Sequence, residues 1–234
     1  MPIVRVTVFQ KQIHQKMPKE DMVKLKEQKS QFLLLPEGYP GFFRSDNLQS
    51  QVDQFKSYSD HLLEISELYS GVSLGGSVYR NIEKQSGKLL KSCPMVQNQQ
   101  LIDFYDKKNV SNQNELVSGT SERIFILSGV RFGICLGEDF EEKEFWEETK
   151  TVELIFHLTS EYNSLSYEET LSKYSEKSQS EKKHIVRVCS IERGKAARSL
   201  YTTPTGINWK TGKMEEDKEV IKTLSVNLTS SIFN

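Results

Sequence analysis

The sequence predicts an α/β fold built on mixed sheets. Three observations predict it. Segments patterned as strands alternate with segments patterned as helices. Hairpin signals interrupt that alternation, so the sheets cannot be purely parallel. One run, Phe32-Leu33-Leu34-Leu35, is apolar at every position and ends at Pro36, as a strand covered on both faces does.

The elements follow in order. Residues 3–9 alternate apolar and polar side chains and read as a half-buried strand. Residues 19–29 are charged, with Met22, Val23 and Leu25 as the apolar members of an amphipathic helix. The buried strand at 32–35 comes next. Ser45 or Asp46 is a suitable N-cap for a long helix to about Tyr69, with Val52, Phe55, Tyr58, Leu62, Leu63 and Ile65 as its buried stripe. Residues 73–79 read as a strand, 84–88 as a hairpin tip and 101–105 as another strand. Residues 106–119 are polar and read as a surface loop. Ser128-Gly129 separates two strands, 124–127 and 130–136. The acidic segment 138–150 reads as helix, with Phe145 and Trp146 inward. A strand is expected over 152–158, and 166–193 is helix-permissive, with no proline. Short strands are expected at 197–201 and 207–209, and a closing strand at 220–228. No Pro/Gly-rich linker divides the chain, so residues 1–234 read as a single domain.

Composition narrows the function classes. The 234 residues include 12 Phe, 9 Tyr and 2 Trp, enough aromatic surface to build a core and to argue against disorder. The net charge is -1, which gives no electrostatic reason to bind nucleic acid or an anionic membrane. No apolar run is long enough to span a bilayer, and no secretory leader is visible. Cys93, Cys135 and Cys189 form neither a C-x-x-C pair nor a disulfide framework, which points to a reducing cytoplasm. His14, His61, His157 and His184 show no ligand spacing, and no phosphate-cradling glycine motif is present, so neither metal nor cofactor is expected. The run from Glu138 to Glu148 holds seven carboxylates in eleven positions and reads as a solvated helix face.

Three islands carry chemical information. The first is Phe32-Leu33-Leu34-Leu35-Pro36-Glu37, which sets a carboxylate at the C-terminal end of a buried strand, where α/β folds bind ligands. The second is Tyr105-Asp106-Lys107-Lys108-Asn109-Val110. The third runs from Phe125 through Gly129, Arg131 and Phe132-Gly133-Ile134-Cys135-Leu136-Gly137-Glu138-Asp139, a strand that turns into an acidic helix start.

In this order the islands resemble the carbon–nitrogen hydrolase (nitrilase/amidase) superfamily, with its Pro-Glu, Tyr-x-Lys and Gly-x-x-Ile-Cys patterns. Gln10 at the end of the first strand, Glu192-Arg193-Gly194 with Arg198, and the stretch from Thr205 to Gly212 extend the likeness over the whole chain. The resemblance implies a four-layer α-β-β-α sandwich, two mixed sheets face to face, and a homodimer. It implies Glu37 as general base and Lys107 as oxyanion partner, with Lys108 the rival for the lysine role. It implies the backbone N–H of Glu138 as an oxyanion donor and Glu115 as a second glutamate. In that chemistry a thiolate attacks an amide, nitrile or carbamoyl carbon.

The departure from the pattern is central. Aligning Gly129, Arg131, Gly133 and Glu138-Asp139 without gaps sets Gly137 at the nucleophile position. A rival alignment takes Ile134-Cys135 as the Ile-Cys pair and makes Cys135 the alternative nucleophile. Two strand residues displace a side chain by about 6.6 Å, whereas a near-attack geometry requires roughly 3 to 3.5 Å. Three functions are therefore expected in competition. The first is a pseudoenzyme or ligand-binding protein for a small amide, nitrile or carbamoyl compound. The second is an amidohydrolase using Cys135 or Glu37-activated water. The third is a non-catalytic interaction module.

Overall fold

The structure, a computed structural model, describes residues 3–41, 48–82, 87–110, 115–161, 165–192 and 194–229. Strand β1 (Ile3–Gln10) leads to helix α1 (Lys19–Gln28) and strand β2 (Phe32–Leu35). Helices α2 (Leu48–Asp53) and α3 (Phe55–Leu68) precede β3 (Val72–Gly75), β4 (Val78–Asn81), β5 (Leu89–Gln97) and β6 (Gln100–Asp106). Then come β7 (Ile124–Leu127), β8 (Val130–Leu136), α4 (Lys143–Glu148), β9 (Leu154–Thr159) and α5 (Tyr167–Glu181). The chain closes with β10 (His184–Cys189), β11 (Leu200–Thr203), β12 (Gly206–Lys210) and β13 (Val220–Asn227).

Among the described residues these strands form two sheets. One has the order β13-β1-β2-β3-β5-β4, with β6 also paired to β5; the other has the order β12-β11-β10-β9-β8-β7. Both are mixed. The neighbours β1, β2 and β3 run parallel, as do β8, β9 and β10, and antiparallel partners flank each set.

Side-chain parity assembles the layers. Val6, Phe32, Leu34 and Leu74 of the first sheet pack on Phe132, Ile134, Phe156 and Val186 of the second. The opposite faces carry Leu33 and Leu35 against Leu25 of α1 and Leu62 and Ile65 of α3. Likewise Ile155 and Ile185 lie under Phe145 and Trp146 of α4 and Leu171 and Tyr174 of α5. The result is an α-β-β-α sandwich, as expected. It also explains why Phe32–Leu35 shows no polar position: both faces are covered.

Local departures have physical reasons. The long helix divides at Gln54 into α2 and α3, and the expected caps at Ser45 and Asp46 lie outside the described residues. The strand expected over 73–79 breaks into β3 and β4 at Gly76, whose φ is +67°. Strand β5 was not anticipated, because Lys91, Ser92 and Pro94 interrupt its apolar pattern. Strand β10 lay within helix-permissive sequence; α5 instead stops at Lys182, a left-handed C-cap with φ 56°, and β-branched Ile185, Val186 and Val188 favour the strand. The acidic helix start is a short 3-10 turn, Gly137–Glu141, before α4.

Gly76 is where two loops meet. A Cβ there would lie 2.2 Å from the Tyr39 carbonyl oxygen and 2.4 Å from that of Pro36. Ser77 Oγ accepts the Gly38 N–H at 2.8 Å, so this turn braces the segment that carries Glu37. Replacing Gly76 with alanine should therefore destabilise the protein by at least about 2 kcal/mol. Urea unfolding monitored by circular dichroism measures this, and an unchanged midpoint would contradict the close approach.

Candidate functional site

Three strand ends converge. Glu37 follows β2 through Pro36, Lys107 follows β6, and Gly137 follows β8. Glu37 and Lys107 are both buried. A carboxylate withdrawn from water needs opposite charge and hydrogen bonds. Lys91 Nζ donates to Glu37 Oε1 at 2.6 Å, and Lys107 Nζ lies 3.5 Å from the same oxygen. The Ser160 N–H donates to Oε2 at 3.2 Å. Lys107 also pairs with Glu138, whose side chain is half-exposed. Burial pushes the Glu37 pKa up, but the Lys91 and then the Lys107 charge outweigh it and hold the carboxyl at about 2. Burial likewise opposes the Lys91 charge, yet the adjacent Glu37 carboxylate keeps its pKa above the ordinary lysine value.

Gly137 faces this pair. Its φ is +50°, and a Cβ built on it would lie 2.7 Å from Glu37 Oε2 and 3.1 Å from Lys107 Nζ. The turn is held from two sides. Asp139 accepts from Tyr105 Oη–H at 2.6 Å, from the Asn109 N–H at 2.6 Å and from the Leu136 N–H at 3.3 Å. One carboxylate thus ties the Lys107 segment to the end of β8. On the other side, His157 Nε2 lies 2.9 Å from the Gly137 carbonyl oxygen, and its Nδ1 lies 2.7 Å from Tyr174 Oη. Burial, with the Arg187 charge, lowers the His157 pKa to about 3, so the ring is neutral. That assigns the tautomer: Nε2–H donates to Gly137 and Nδ1 accepts from Tyr174.

No protein-family model and no curated protein matches the sequence. Solved structures do match. A glutamine-dependent NAD+ synthetase from Acinetobacter baumannii superposes with a TM-score of 0.78 over 97% of this chain and 46% of that one, at 16% identity. A CN-hydrolase superfamily protein from Xanthomonas campestris, with an arsenic adduct in its active site, gives 0.77 over 97% of this chain and 91% of that one, at 13% identity. A variant of a nitrilase-superfamily amidase from Nesterenkonia gives 0.72 over 95% and 90%, at 14% identity. The chain has the nitrilase-superfamily fold. It spans about half the length of the synthetase and nine-tenths of the two smaller proteins.

Within this nitrilase-type sandwich the other candidate residues are dispersed. Lys108 turns away and pairs with Glu148 at 3.1 Å, which leaves Lys107 beside Glu37. Glu115 is exposed, on the segment whose Leu116 bridges Leu89; the side chains on Glu37 and Lys107 are those of Lys91 and Glu138 instead. Cys135 is fully buried among Phe140, Phe145 and Trp146 on the helix-facing side of its sheet. Burial, then the Asp139 charge, pushes its thiol well above the usual range. Cys93 and Cys189 are also fully buried, with thiols pushed up by burial. The N–H of Glu138 belongs to the first turn of the 3-10 segment, where backbone donors lack intrahelical acceptors. Gln10 braces the sheet ends: its amide donates to the Glu215 and Lys218 carbonyls and accepts from the Ser199 N–H.

Sequence reasoning missed Lys91 and His157. Lys91 lay in an unassigned stretch, and His157 sat inside an apolar strand with no ligand spacing. The available signal for Lys91 was a charge at a strand-patterned position, two residues before a buried cysteine.

The depressed Glu37 pKa has a pH signature. Its stabilising contribution is present above the ordinary value of 4.5 and is lost as pH falls toward about 2. The unfolding free-energy gap between the protein and its Glu37→Gln variant should therefore narrow by roughly 3 kcal/mol between about pH 5 and about pH 2. Chemical denaturation across that range measures the gap, and a constant difference would show that Glu37 is not stabilised as an anion.

Proposed function

We propose that this nitrilase-fold chain is a binding protein for a small carboxamide-type ligand and that it lacks a nucleophile. The observation that carries this reading is Gly137, whose missing Cβ would stand 2.7 Å from Glu37 Oε2 and 3.1 Å from Lys107 Nζ. An acceptor and a donor thus lie directly against a residue with no side chain. A primary amide complements that pair: its N–H groups suit the carboxylate and its carbonyl suits the ammonium. Loss of the nucleophile from a cooperating catalytic unit lowers the rate on the order of a millionfold. The Nesterenkonia amidase, by contrast, has an active-site cysteine, to which the acetamide moiety of fluoroacetamide adds in one of its variants.

Physical chemistry weighs against the hydrolytic alternatives. Cys135 would have to leave a closed apolar cluster and reverse the face of its strand. Glu37 as a water-activating base would need a pKa near the working pH, and the two ammoniums hold it at about 2. Against a purely architectural likeness stands the buried Glu37–Lys107 pair itself, since burying opposite charges without use carries a desolvation penalty.

The test is direct. Purified protein incubated with simple amides, nitriles and N-carbamoyl compounds should release no ammonia above background, while calorimetry with the amides should detect binding that Glu37→Gln removes. Turnover abolished by Glu37→Gln would overturn the reading. Gly137→Cys should gain a thiol alkylated by iodoacetamide at least about tenfold faster than any native cysteine, because burial holds all three native thiols in the neutral form whereas a thiol at 137 sits beside the Lys107 ammonium. The left-handed backbone at this position makes that variant less stable by roughly 1 kcal/mol.

A further inference from the structure

Lys91 is the charged group of the site that no motif predicts. It sits on β5, and its Nζ reaches Glu37 Oε1 at 2.6 Å, closer than Lys107 at 3.5 Å. Its side chain is only 18% exposed, against 4% for Glu37. The aromatic ring of Tyr79 lies 5.8 Å from the same ammonium. The Lys91 carbonyl accepts the Lys107 N–H at 2.8 Å, so the backbone that carries one lysine positions the other.

The two lysines are not equivalent. Both address Oε1, while Oε2 receives the Ser160 N–H and is the oxygen turned toward Gly137. A buried carboxylate with one weak partner remains able to take a proton; one with a second ammonium at hydrogen-bond distance is held as an anion. Lys91 supplies that second ammonium. Lys107 then has its remaining donor capacity for Glu138, which is half-exposed, and for a ligand oxygen.

We infer that Lys91 is a positioning residue that holds Glu37 as a permanent anion, so that proton transfer is disabled at this site independently of Gly137. The inference rests on the reading of the site as a ligand-binding one and adds to it: Glu37 Oε2 serves a ligand N–H as a fixed acceptor. It also implies that a thiol at position 137 alone would not rebuild a hydrolase. For hydrolysis the thiol would add to the amide carbon, its proton would pass through Glu37 to the departing ammonia as the thioester forms, and water would then release the acid and free thiol. With Lys91 in place Glu37 is a poor carrier for that proton.

The experiment compares Lys91→Met and Lys91→Arg in the native background and in the Gly137→Cys background. The Glu37 carboxyl is followed by carbon NMR, assigned with Glu37→Gln. In Lys91→Met its titration should move up by roughly 1 to 3 pH units, while Lys91→Arg, which keeps the charge, should leave it near the parent value. Hydrolysis of small amides by Gly137→Cys with Lys91→Met should exceed that of Gly137→Cys alone by at least about tenfold. Thermal melts establish that each variant is folded, and Lys91→Gln replaces the methionine variant if that one is not. An unmoved Glu37 titration, or equal hydrolysis by the two cysteine variants, would overturn the inference. Failure of the binding reading is distinguishable, because it shows as amide turnover by the native protein.

Discussion

The contact between the two sheets is the constraint on which the rest depends. Phe32, Phe132 and Phe156 meet there, with ring centroids 5.0, 5.3 and 4.9 Å apart. Each ring lies on a strand with a parallel neighbour, so packing these rings sets the strands' lengthwise offset across the sandwich. Glu37 lies five residues beyond Phe32 and Gly137 five residues beyond Phe132. A shift of either sheet along its strands would separate the carboxylate from the turn. The aromatic layer is in this sense what brings Glu37 Oε2 within 2.7 Å of a side-chain position at residue 137.

Electrostatics follows from where that layer ends. At the strand ends the apolar filling gives way to Glu37, Lys91, Lys107 and Glu138, two charges of each sign. Burial makes the inner carboxylate dependent on its partners, and Lys91 meets that need at 2.6 Å. Around the charges, neutral and singly charged braces hold the backbone. Asp139 joins the Tyr105 and Asn109 segment to the β8 turn, and the neutral His157 ring joins the same turn to Tyr174 on α5. Residues from both sheets and from one outer helix thus converge on a single glycine.

Much of this was legible in the chain. The continuous apolar run before Glu37 signalled a doubly covered strand, and both faces of β2 are covered. The Tyr105 to Val110 island and the Phe125 to Asp139 island were legible as motifs in order along the chain, and the Tyr105–Asp139 hydrogen bond is the physical link between them. What was illegible has a common cause. Lys91 broke the apolar pattern of β5 because that strand delivers its ammonium to the buried Glu37. The helix-permissive stretch concealed β10 because only tertiary packing decides between a continued helix and a β-branched strand. Glu115 was picked by its position between two islands, and a surface segment carries it instead.

The sequence by itself determined the α/β class, the order of the chemical islands and a glycine, at position 137, between the last strand of the third island and its acidic pair. Those properties reside in residue identity and local periodicity, and they survive without coordinates. Only the tertiary structure decided which lysine faces Glu37, where the three thiols point and what balances the buried carboxylate. Each of those depends on side chains far apart in the chain meeting at distances of a few ångströms. Lys91 shows the difference most clearly: on the page it is one lysine among many, and in the folded protein it is the nearest cation to Glu37.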